Sequence, residues 1–353
     1  MCASSSALTA PSSSRPPSAL SASPQAHPVP PVPNAQPAQP AHLEHTAHPS
    51  PPPLLHLRGP CALLSDLHLN GGPRDPLILE ALRAAAQGAL GAPLRHLLLV
   101  GDVFDFNLGY KSVLYAHLLP AYRLIAELVE AGVEVVIFTG NHDPDPCPTL
   151  ASLGARVLTG PAAAVAADGQ VAWIEHGDAL EPHPLKRLAC RLARSPLITA
   201  TARLLPPALA LALAPRLPQA PPPPRSLDAL RAERSAPIEA LPDPWLARQW
   251  RPRALALEAA LAREGLPPLA ERTPPVWCFG HFHAARDRAL PLPSGEPHAP
   301  RLLALGDWVE RWTLAWWAEA PPHLLRWELG RWELGERSHS SPSSPSSPRA
   351  QII

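Results

Sequence analysis

The stretch VEVVIFTGNHD, residues 133–143, decides how this sequence can fold. Its first half is apolar and rich in β-branched residues, which predicts a buried β-strand. The chain then turns at Gly140 and presents three polar residues in a row, Asn141, His142 and Asp143. A turn uses the glycine and accommodates the asparagine, but it does not require the histidine. Taken alone, the stretch is also compatible with an ordinary polar exit from a strand.

Strands and helices alternate on the N-terminal side of this stretch. CALLSDLH (61–68) and HLLLVGD (96–102) are predicted strands with polar ends. DPLILEALRAAAQGAL (75–90) has helical spacing, and VLYAHLLPAYRLIAELVEAG (113–132) predicts a long amphipathic helix despite Pro120. Alternation of this kind is typical of βαβ units with a largely parallel central region.

The pattern changes after residue 143. Short strands joined by turns are predicted in ARVLTG, AAVAADG and QVAWIEHGD, with a hairpin at Asp168-Gly169. Strands return in PVWCFGHFH, RLLALGDW, RWTLAWWAE and HLLRWELG, after a Leu/Ala/Arg/Pro-rich segment. We therefore predict an α/β fold of two stacked mixed sheets flanked by helices, with a helical insertion over about 182–270.

Both ends of the chain differ in composition from the region between them. Residues 1–53 hold fourteen prolines and a single acid, Glu44, and the tail 336–353 is rich in serine and proline. Such segments bury too little apolar surface to offset the entropy of ordering, so we predict that both are disordered. The folded domain is predicted over 54–335. It ends in a five-residue duplication, RWELGRWELG (326–335), too short to define a repeat fold.

Net charge, cysteine spacing and the length of apolar runs indicate the class of protein and its compartment. The formal net charge is zero, so bulk charge does not point to nucleic acid. The five cysteines are scattered without a CxxC pair, as expected of reduced thiols in a cytoplasmic chain. We find no secretory signal pattern and no run of about 20 apolar residues. We therefore expect a cytoplasmic protein, with contact to the inner face of the membrane as a further expectation.

Five predicted strand ends carry side chains that bind divalent metals. They are Asp66 and His68 in SDLH, Asp102 in GD, Asn141 in GNHD, His176 in EHGD, and His281 and His283 in GHFH. Residues two apart project to the same side if the chain stays extended. Carboxyl-end loops of an open α/β sheet meet at one crevice. Nitrogen and oxygen ligands in this mixture suit a pair of divalent ions.

The series SDLH, GD, GNHD, EHGD and GHFH resembles the motifs of the calcineurin-like metallophosphoesterase superfamily, over about residues 61–310. The resemblance implies a four-layer sandwich and two divalent ions, manganese first, with zinc or iron also suitable. It implies one ion held by Asp66, His68, Asp102 and His283, and a second held by Asp102, Asn141, His176 and His281. His142 would be the catalytic imidazole and Asp143 its orienting partner.

This resemblance implies hydrolysis of a phosphoester or phosphoric anhydride. In such centres two ions activate a water and bind the phosphoryl oxygens for in-line displacement. The expected role of His142 is to donate a proton to the leaving group or to a non-bridging oxygen.

Within the superfamily, the chain is similar to the branch that contains the UDP-2,3-diacylglucosamine pyrophosphatases. The similarity rests on SDLHL, HGD, the insertion before the last GHxH, and LGDWVE (305–310). One difference is His142, because the known pyrophosphatases usually carry arginine there. It leaves the predicted metal ligands intact and leaves the substrate open to a broader relative.

The insertion adds a second indication of the substrate. Residues 182–227 contain seven cations and no acid. Arg187, Arg191 and Arg194 share one helical face, and we interpret them as substrate-binding, while another face carries leucines, Leu185, Leu188 and Leu192. An apolar, cationic insertion suits acyl chains with a diphosphate, or an anionic membrane surface. The alternative is a helix packed on the core with solvated arginines.

Three functions remain compatible with the sequence. The first is a dinuclear metal hydrolase of a nucleotide-linked lipid. The second is a hydrolase of phosphomonoesters, nucleotides or nucleic acid, and the third is a non-catalytic scaffold of the same fold. The scaffold ranks last because no ligand is missing. Nucleic acid is disfavoured, since the basic segment 182–227 has no interleaved aromatic residues.

Overall fold

The computed structural model describes residues 51–144, 148–213, 243–292, 298–318, 321–328 and 331–334. The predicted disorder of residues 1–50 and 336–353 falls outside the described residues, as does part of the predicted insertion, 214–242. Those predictions remain untested.

The described elements follow the predicted alternation. The strands are β1 (Leu54–Leu57), β2 (Cys61–Leu64), β3 (His96–Val100), β4 (Glu134–Phe138), β5 (Arg156–Leu158), β6 (Ala162–Ala166), β7 (Val171–Glu175), β8 (Val276–Phe279), β9 (Ala285–Ala289), β10 (Arg301–Leu305), β11 (Thr313–Trp317), β12 (His323–Glu328) and β13 (Arg331–Leu334). The α-helices are α1 (Asp75–Ala86), α2 (Leu119–Glu130), α3 (Pro148–Ser152), α4 (Pro184–Ala193), α5 (Pro196–Ala202), α6 (Pro207–Leu213) and α7 (Asp243–Arg263).

The strands form two mixed sheets. One has the order β1-β6-β7-β8-β10-β9, and the other has the order β13-β12-β11-β2-β3-β4-β5. β2, β3, β4 and β5 are parallel, as are β7, β8 and β10, while the hairpin of β6 and β7 is antiparallel. The predicted fold class, two stacked mixed sheets flanked by helices, is confirmed.

Alternation along β3 shows how the layers are built. Leu97 and Leu99 pack in the cluster that includes α1 and α2, whereas Leu98 and Val100 pack in the cluster between the two sheets. Both faces are buried, which explains why the central strands read as continuous apolar runs. On the far side, α7 covers the six-stranded sheet with buried residues such as Trp250 and Leu257. The order of layers is therefore helix, sheet, sheet, helix.

The structure corrects the predicted helix at 113–132. Helix α2 begins at Leu119 after a 3₁₀ turn over Ala116–Leu118, so Pro120 lies in its first turn. Proline is tolerated there because its missing N–H would have no partner within the helix. Three strands were not predicted, β1, β9 and β13. β1 pairs in parallel with β6, and β9 follows the GHFH motif directly.

The segment between β7 and β8 contains two kinds of helix. Helix α7 is part of the core, whereas α4, α5 and α6 (residues 184–213), here called the cap helices, bury few side chains and α4 buries none. No single described helix is long and apolar enough to cross a membrane, and only α5 and α6 pass that test together, bent by 117°.

The duplicated RWELG forms a hairpin. Its two copies lie in β12 and β13, and the register pairs Trp327 with Trp332. The same register sets Arg326 opposite Glu333 and Glu328 opposite Arg331.

Candidate metal centre

The two sheets bring their ligand-bearing strand ends to one place. The carboxyl ends of β2, β3 and β4 in one sheet meet those of β7 and β8 in the other. Three groups of side chains lie with ligand atoms within 4.8 Å of one another. They are Asp66, His68 and His283; His68, Asp102 and His142; and Asp102, His176 and His281. Groups of metal-binding residues are therefore present, and they share His68 and Asp102.

Most of these residues have left-handed backbone conformations. Seven non-glycine residues in the described chain have positive φ, and five of them are predicted ligands: Asp66 (56°), His68 (48°), Asp102 (50°), His281 (68°) and His283 (54°). Left-handed backbone costs an L-residue about 1–2 kcal/mol. This corrects the expectation that residues two apart converge along an extended chain. They converge because each loop turns sharply at the ligand itself.

The first cluster comprises Asp66, His68 and His283. Nε2 of His283 lies 3.3 Å from Asp66 Oδ1 and 3.3 Å from Nε2 of His68. Nε2 of His68 lies 3.9 Å from the same carboxylate oxygen. Two ring nitrogens and one carboxylate oxygen thus face a common point.

The second cluster comprises Asp102, His176 and His281, with Asn141 beside it. Nε2 of His176 lies 3.3 Å from Asp102 Oδ2 and 3.2 Å from the amide oxygen of Asn141. The ring centroids of His176 and His281 are 5.3 Å apart. Asp102 is 2% exposed, and its other oxygen accepts the backbone N–H of His142 at 2.8 Å.

A cation fits the first cluster. Asp66 is fully buried, and its Oδ2 accepts the Ser65 hydroxyl at 2.6 Å and the His281 N–H at 2.8 Å. Its Oδ1 makes no well-formed hydrogen bond among the described residues, and its nearest positive group is the His283 ring at 3.3 Å. A buried carboxylate oxygen without a donor is costly unless a cation satisfies it. The ligand types and this free oxygen are therefore consistent with a divalent ion.

Two motif glycines bring the strand ends this close together. A Cβ at Gly280 would collide with Ser65 Oγ and with the carboxylate of Asp66. A Cβ at Gly140 would collide with the carboxylate of Asp102. Neither glycine has a positive φ, so Gly140 serves close approach and not a left-handed turn.

The charges of the centre stabilise one another. Burial opposes ionisation of Asp66, but hydrogen bonding and charge from His283 outweigh it and lower the pKa of Asp66 to about 2. Burial also opposes ionisation of Asp102, yet His176 and His142 hold its pKa well below the usual value. Conversely, burial favours the neutral rings, but Asp102 raises the pKa of His176 to about 10 and Asp66 raises that of His283 to about 9. The metal-free centre is a compact network of ion pairs.

His142 lies at the rim of the centre with about a quarter of its side chain exposed. Its Nδ1 donates to the backbone carbonyl of Asp105 at 2.9 Å, and its ring makes an edge contact with His68 at 4.8 Å between centroids. A carbonyl can only accept, so Nδ1 carries a proton and Nε2 is the nitrogen that can face a substrate. Burial lowers the pKa of His142. The charge of Asp102 and the Asp105 carbonyl raise it by more than burial lowers it, so the net shift is upward.

Asp143 has a different role from the predicted one. Its buried carboxylate accepts four backbone N–H groups, from Asp102, Val103, Phe104 and Gly140, at 2.8–3.2 Å. Burial and the charge of Asp102 raise the pKa of Asp143 to about 7, against the effect of those donors. Asp143 therefore joins the GD and GNHD loops. The prediction that it orients the His142 ring is wrong, because Asp105 makes that contact.

The sequence analysis missed several residues around the ligands. Asp105 Oδ1 lies 3.3 Å from His68 Nδ1, and Glu181 Oε2 lies 3.6 Å from His281 Nε2. Asp307, in the quoted LGDWVE stretch, lies 3.8 Å from His283 Nδ1. The position of Asp105 in GDVFD, three residues after a ligand, could have drawn attention to it. Nothing in the sequence marks Glu181.

Another missed group fixes the end of β7. Glu175, next to His176, forms a bidentate ion pair with Arg253 of α7 and accepts the Trp277 indole N–H at 2.8 Å. The guanidinium also lies over the Trp277 ring, 5.0 Å from its centroid. Because both charges are mostly buried and paired, α7 holds this strand end in place.

The three arginines predicted to bind substrate have different environments. Arg194 donates to Asp178 at 2.7 Å, to Thr139 at 2.8 Å and to the Thr159 carbonyl at 3.0 Å. It ties α4 to the core, and its substrate role stays a prediction. Arg187 is half-buried and Arg191 exposed, and neither guanidinium has a partner among the described residues.

Two curated relatives share sequence with this chain. A UDP-2,3-diacylglucosamine hydrolase from Ralstonia nicotianae is 33% identical over 129 residues, 36% of this chain and 46% of the relative. A UDP-2,3-diacylglucosamine hydrolase from Porphyromonas gingivalis is 27% identical over 275 residues, 74% of this chain and 95% of the relative. The chain thus spans about half the length of the first relative and nearly all of the second.

The sequence shared with these two relatives confirms the predicted resemblance. No family model matches the chain. Among solved structures, a cold-active protein tyrosine phosphatase covers 81% of both chains at 16% identity, with a TM-score of 0.34. Another, from a psychrophilic Shewanella species, gives 14% identity and a TM-score of 0.31 over 80% of this chain and 82% of its own. These structural scores are too low to support an inference about this chain.

Proposed function

We propose that this protein is a metal-dependent hydrolase that cleaves the diphosphate of a UDP-diacylglucosamine-like nucleotide lipid. The observation that carries the proposal is the convergence of the seven predicted ligand side chains from five strand ends, in clusters that meet at His68 and Asp102, with Asn141 beside His176. The names of the two curated relatives support the same class of reaction and substrate.

The proposal includes two divalent ions, with manganese as the first choice. The first would be held by Asp66, His68, Asp102 and His283, and the second by Asp102, Asn141, His176 and His281. When bound, the ions would supply an activated water and positive charge for the phosphoryl oxygens.

The remaining chemistry belongs to side chains of this protein. His142 keeps Nδ1 on the Asp105 carbonyl, which leaves Nε2 free to hold a proton at the leaving oxygen. In the metal-free protein the charge of Asp102 and the contact with the Asp105 carbonyl raise the pKa of His142, which favours the protonated ring. The Asp143 carboxylate joins the two loops that carry Asp102 and His142.

The cap helices support a lipid substrate. Leu185, Leu188 and Leu192 on α4 are 69%, 51% and 48% exposed, while Arg194 on another face is tied to the core. The leucine face of this amphipathic helix is therefore exposed to solvent. Leu197 on α5 and Leu204 in the turn after it are 77% and 83% exposed. Exposed apolar side chains in such number suit acyl chains or a membrane interface.

We further propose that these leucines hold the protein peripherally on the inner, cytoplasmic face of a membrane. Each methylene buried in lipid contributes about 0.8 kcal/mol. The exposed cations Lys186 and Arg191 lie on the same helix and would favour anionic lipid.

The test is hydrolysis by the full-length protein loaded with manganese. UDP-2,3-diacylglucosamine should yield UMP and the acylated sugar 1-phosphate, faster than deacylated UDP-glucosamine. Metal analysis should give two ions per chain. Absence of turnover on every nucleotide-linked substrate, with two ions bound, would contradict the substrate assignment.

A second candidate is a phosphodiesterase or phosphatase of broader specificity. His142 favours it, because histidine stands where the known pyrophosphatases of this branch usually carry arginine. Equal rates on the acylated lipid and on a soluble nitrophenyl diester would support this alternative.

A further inference from the structure

Each of the four predicted ligand histidines has one ring nitrogen close to an acceptor outside the ligand set. His68 Nδ1 lies 3.3 Å from Asp105 Oδ1, and His176 Nδ1 lies 3.0 Å from the Val100 carbonyl. In both rings the opposite nitrogen, Nε2, faces the carboxylates and the amide of the clusters. An imidazole bound to a metal usually donates its other N–H to such an outer acceptor, which fixes the ring and its tautomer.

His283 follows the same arrangement. Its Nε2 faces Asp66, and its Nδ1 lies 3.8 Å from Asp307 Oδ2. The other oxygen of Asp307 accepts the backbone N–H groups of Val309 and Glu310 at 2.8 and 2.6 Å, so the carboxylate is held in one orientation. Oδ2 is buried and has no hydrogen-bond partner among the described residues, so it remains available to the ring.

His281 is reversed. Its Nε2, not its Nδ1, faces the outer carboxylate, at 3.6 Å from Glu181 Oε2. The Glu181 side chain is 12% exposed, and its Oε1 accepts the backbone N–H of His183 at 3.1 Å. One oxygen is therefore fixed at the beginning of α4, and the other is directed at the ring.

We propose that Glu181 is a positioning residue that acts through His281. It holds Nε2 outward, so that His281 presents Nδ1 to its ion while the other three histidines present Nε2. Because the same carboxylate accepts the N–H of His183, occupancy by that ion also stabilises the first turn of α4. This inference rests on the proposed two-ion centre and adds to it a residue that lies outside the ligand set.

The experiment compares Glu181→Ala and Glu181→Gln with wild type by calorimetric titration of the metal-free, full-length protein with Mn²⁺. A matched control is Glu130→Gln, an exposed glutamate on α2. Loss of an outer partner typically lowers metal affinity by about 10–100-fold. We expect that loss for one of the two ions in Glu181→Ala, a smaller loss in Glu181→Gln, and none in the control.

Two further readouts separate positioning from simple structural support. With Zn²⁺ bound, ¹⁵N spectra of the imidazoles should show one ring metallated at Nδ1 and three at Nε2. Hydrogen exchange in Pro184–Ala193 should slow when wild type binds metal, and slow less in either Glu181 variant. Four rings metallated at Nε2, or both affinities unchanged in the alanine variant, would overturn the inference.

The outcome also separates this inference from the proposed function. If wild type binds two ions and hydrolyses substrate but the Glu181 variants bind both ions normally, only the role of Glu181 fails. If wild type binds fewer than two ions, the two-ion centre fails and the role of Glu181 fails with it. Should Glu181→Ala not fold, Glu181→Gln and the wild-type spectra still decide the inference.

Discussion

The metal centre and the cap helices are neighbours in the chain with opposite construction. At the centre, charged and polar side chains are buried among the ends of five strands, and most of them have left-handed backbone. In the cap helices, leucines face outward and one arginine is tied inward. The rule that apolar residues are buried and polar ones exposed is broken in both places.

The buried polar groups of the metal centre and the exposed leucines of the cap helices suit two different kinds of partner. Buried carboxylates beside imidazoles and a buried amide suit a small, highly charged cation, because these are the ligand types that divalent metals bind. The exposed leucines suit an extended apolar partner, because covering them would remove apolar surface from water. A substrate with a diphosphate and acyl chains would satisfy both regions at once.

The most severe way to break the metal centre is Asp102→Ala. The variant loses the carboxylate that both proposed ions share, and charge stabilisation by such ions is worth several kcal/mol, so turnover should fall about 10³-fold or more. Turnover and metal content are measured together at saturating Mn²⁺. Glu80→Ala, an exposed site on α1, is the control. Near-normal turnover of the Asp102 variant would rule out the shared-ligand assignment.

A second substitution tests the proposed proton donor without removing a predicted metal ligand. His142→Ala should lower turnover by about 10²–10⁴-fold, because the proton donor at the leaving oxygen is lost. Both ions should remain bound. A nitrophenyl ester, whose leaving group needs no proton, should lose less than an alkyl ester. A parallel fall in metal content would mean that His142 is a ligand.

The cap is tested by replacing Leu185, Leu188 and Leu192 together with serine. These side chains are about half exposed or more, so the fold should tolerate the change. We expect kcat/KM on the acylated substrate to fall about tenfold or more, since lost burial of even two methylenes costs about 1.6 kcal/mol. Hydrolysis of a soluble diester should stay the same, as should all activities of the control Leu77→Ser on α1, where Leu77 is 50% exposed. Equal losses on both substrates would assign the leucines to the core.

The pH dependence of metal binding provides a milder test. The raised pKa values of His176 and His283, about 10 and about 9, mean that both rings carry an extra proton in the metal-free protein at neutral pH. A ligating ring must lose it, so binding releases protons and tightens as pH rises. We expect about a tenfold gain in affinity per pH unit for each ion between pH 6.5 and 8.5. Calorimetry in two buffers of different ionisation enthalpy counts the protons, and zero release would contradict the ion-pair network.

The smallest expected effect concerns backbone strain. His68 has a φ of 48°, whereas His142 is not among the residues with positive φ. At His142, the glycine variant should be less stable than the alanine variant. In the presence of chelator, the free energy of unfolding of His68→Gly should be about 1 kcal/mol higher than that of His68→Ala, because both variants lose the ring contacts and only the alanine keeps the left-handed strain. Equal destabilisation of both would mean that the left-handed turn at His68 carries no strain.

The sequence was sufficient for most of the strands and for which residues gather at their ends. Alternating βα periodicity predicted β2, β3 and β4, and ligand-type residues followed each of them. The sequence did not predict the direction of the backbone at the ligands, because Asp66 and His68 converge through left-handed turns and not along a strand. A period-2 pattern contains no information about such turns.

Contacts between distant segments were also beyond the sequence. The prediction for Asp143 failed because adjacency in GNHD suggested a partner for His142, while the fold placed Asp105, 37 residues away, against that ring. Arg194 shares helical spacing with Arg187 and Arg191, yet only Arg194 meets Asp178 and Thr139. Periodicity defines a face, but tertiary packing decides what that face meets.

The hairpin of β12 and β13 has a consequence for how this domain could lengthen during evolution. The tripeptide Arg-Trp-Glu is self-complementary when two copies run antiparallel, because each charged residue then lies opposite its counterion and tryptophan lies opposite tryptophan. The two indole rings are in edge contact, 4.9 Å apart. Opposite charges and aromatic pairs across strands are both stabilising. Five repeated residues thus supply a strand whose sequence already matches the register of the strand before it.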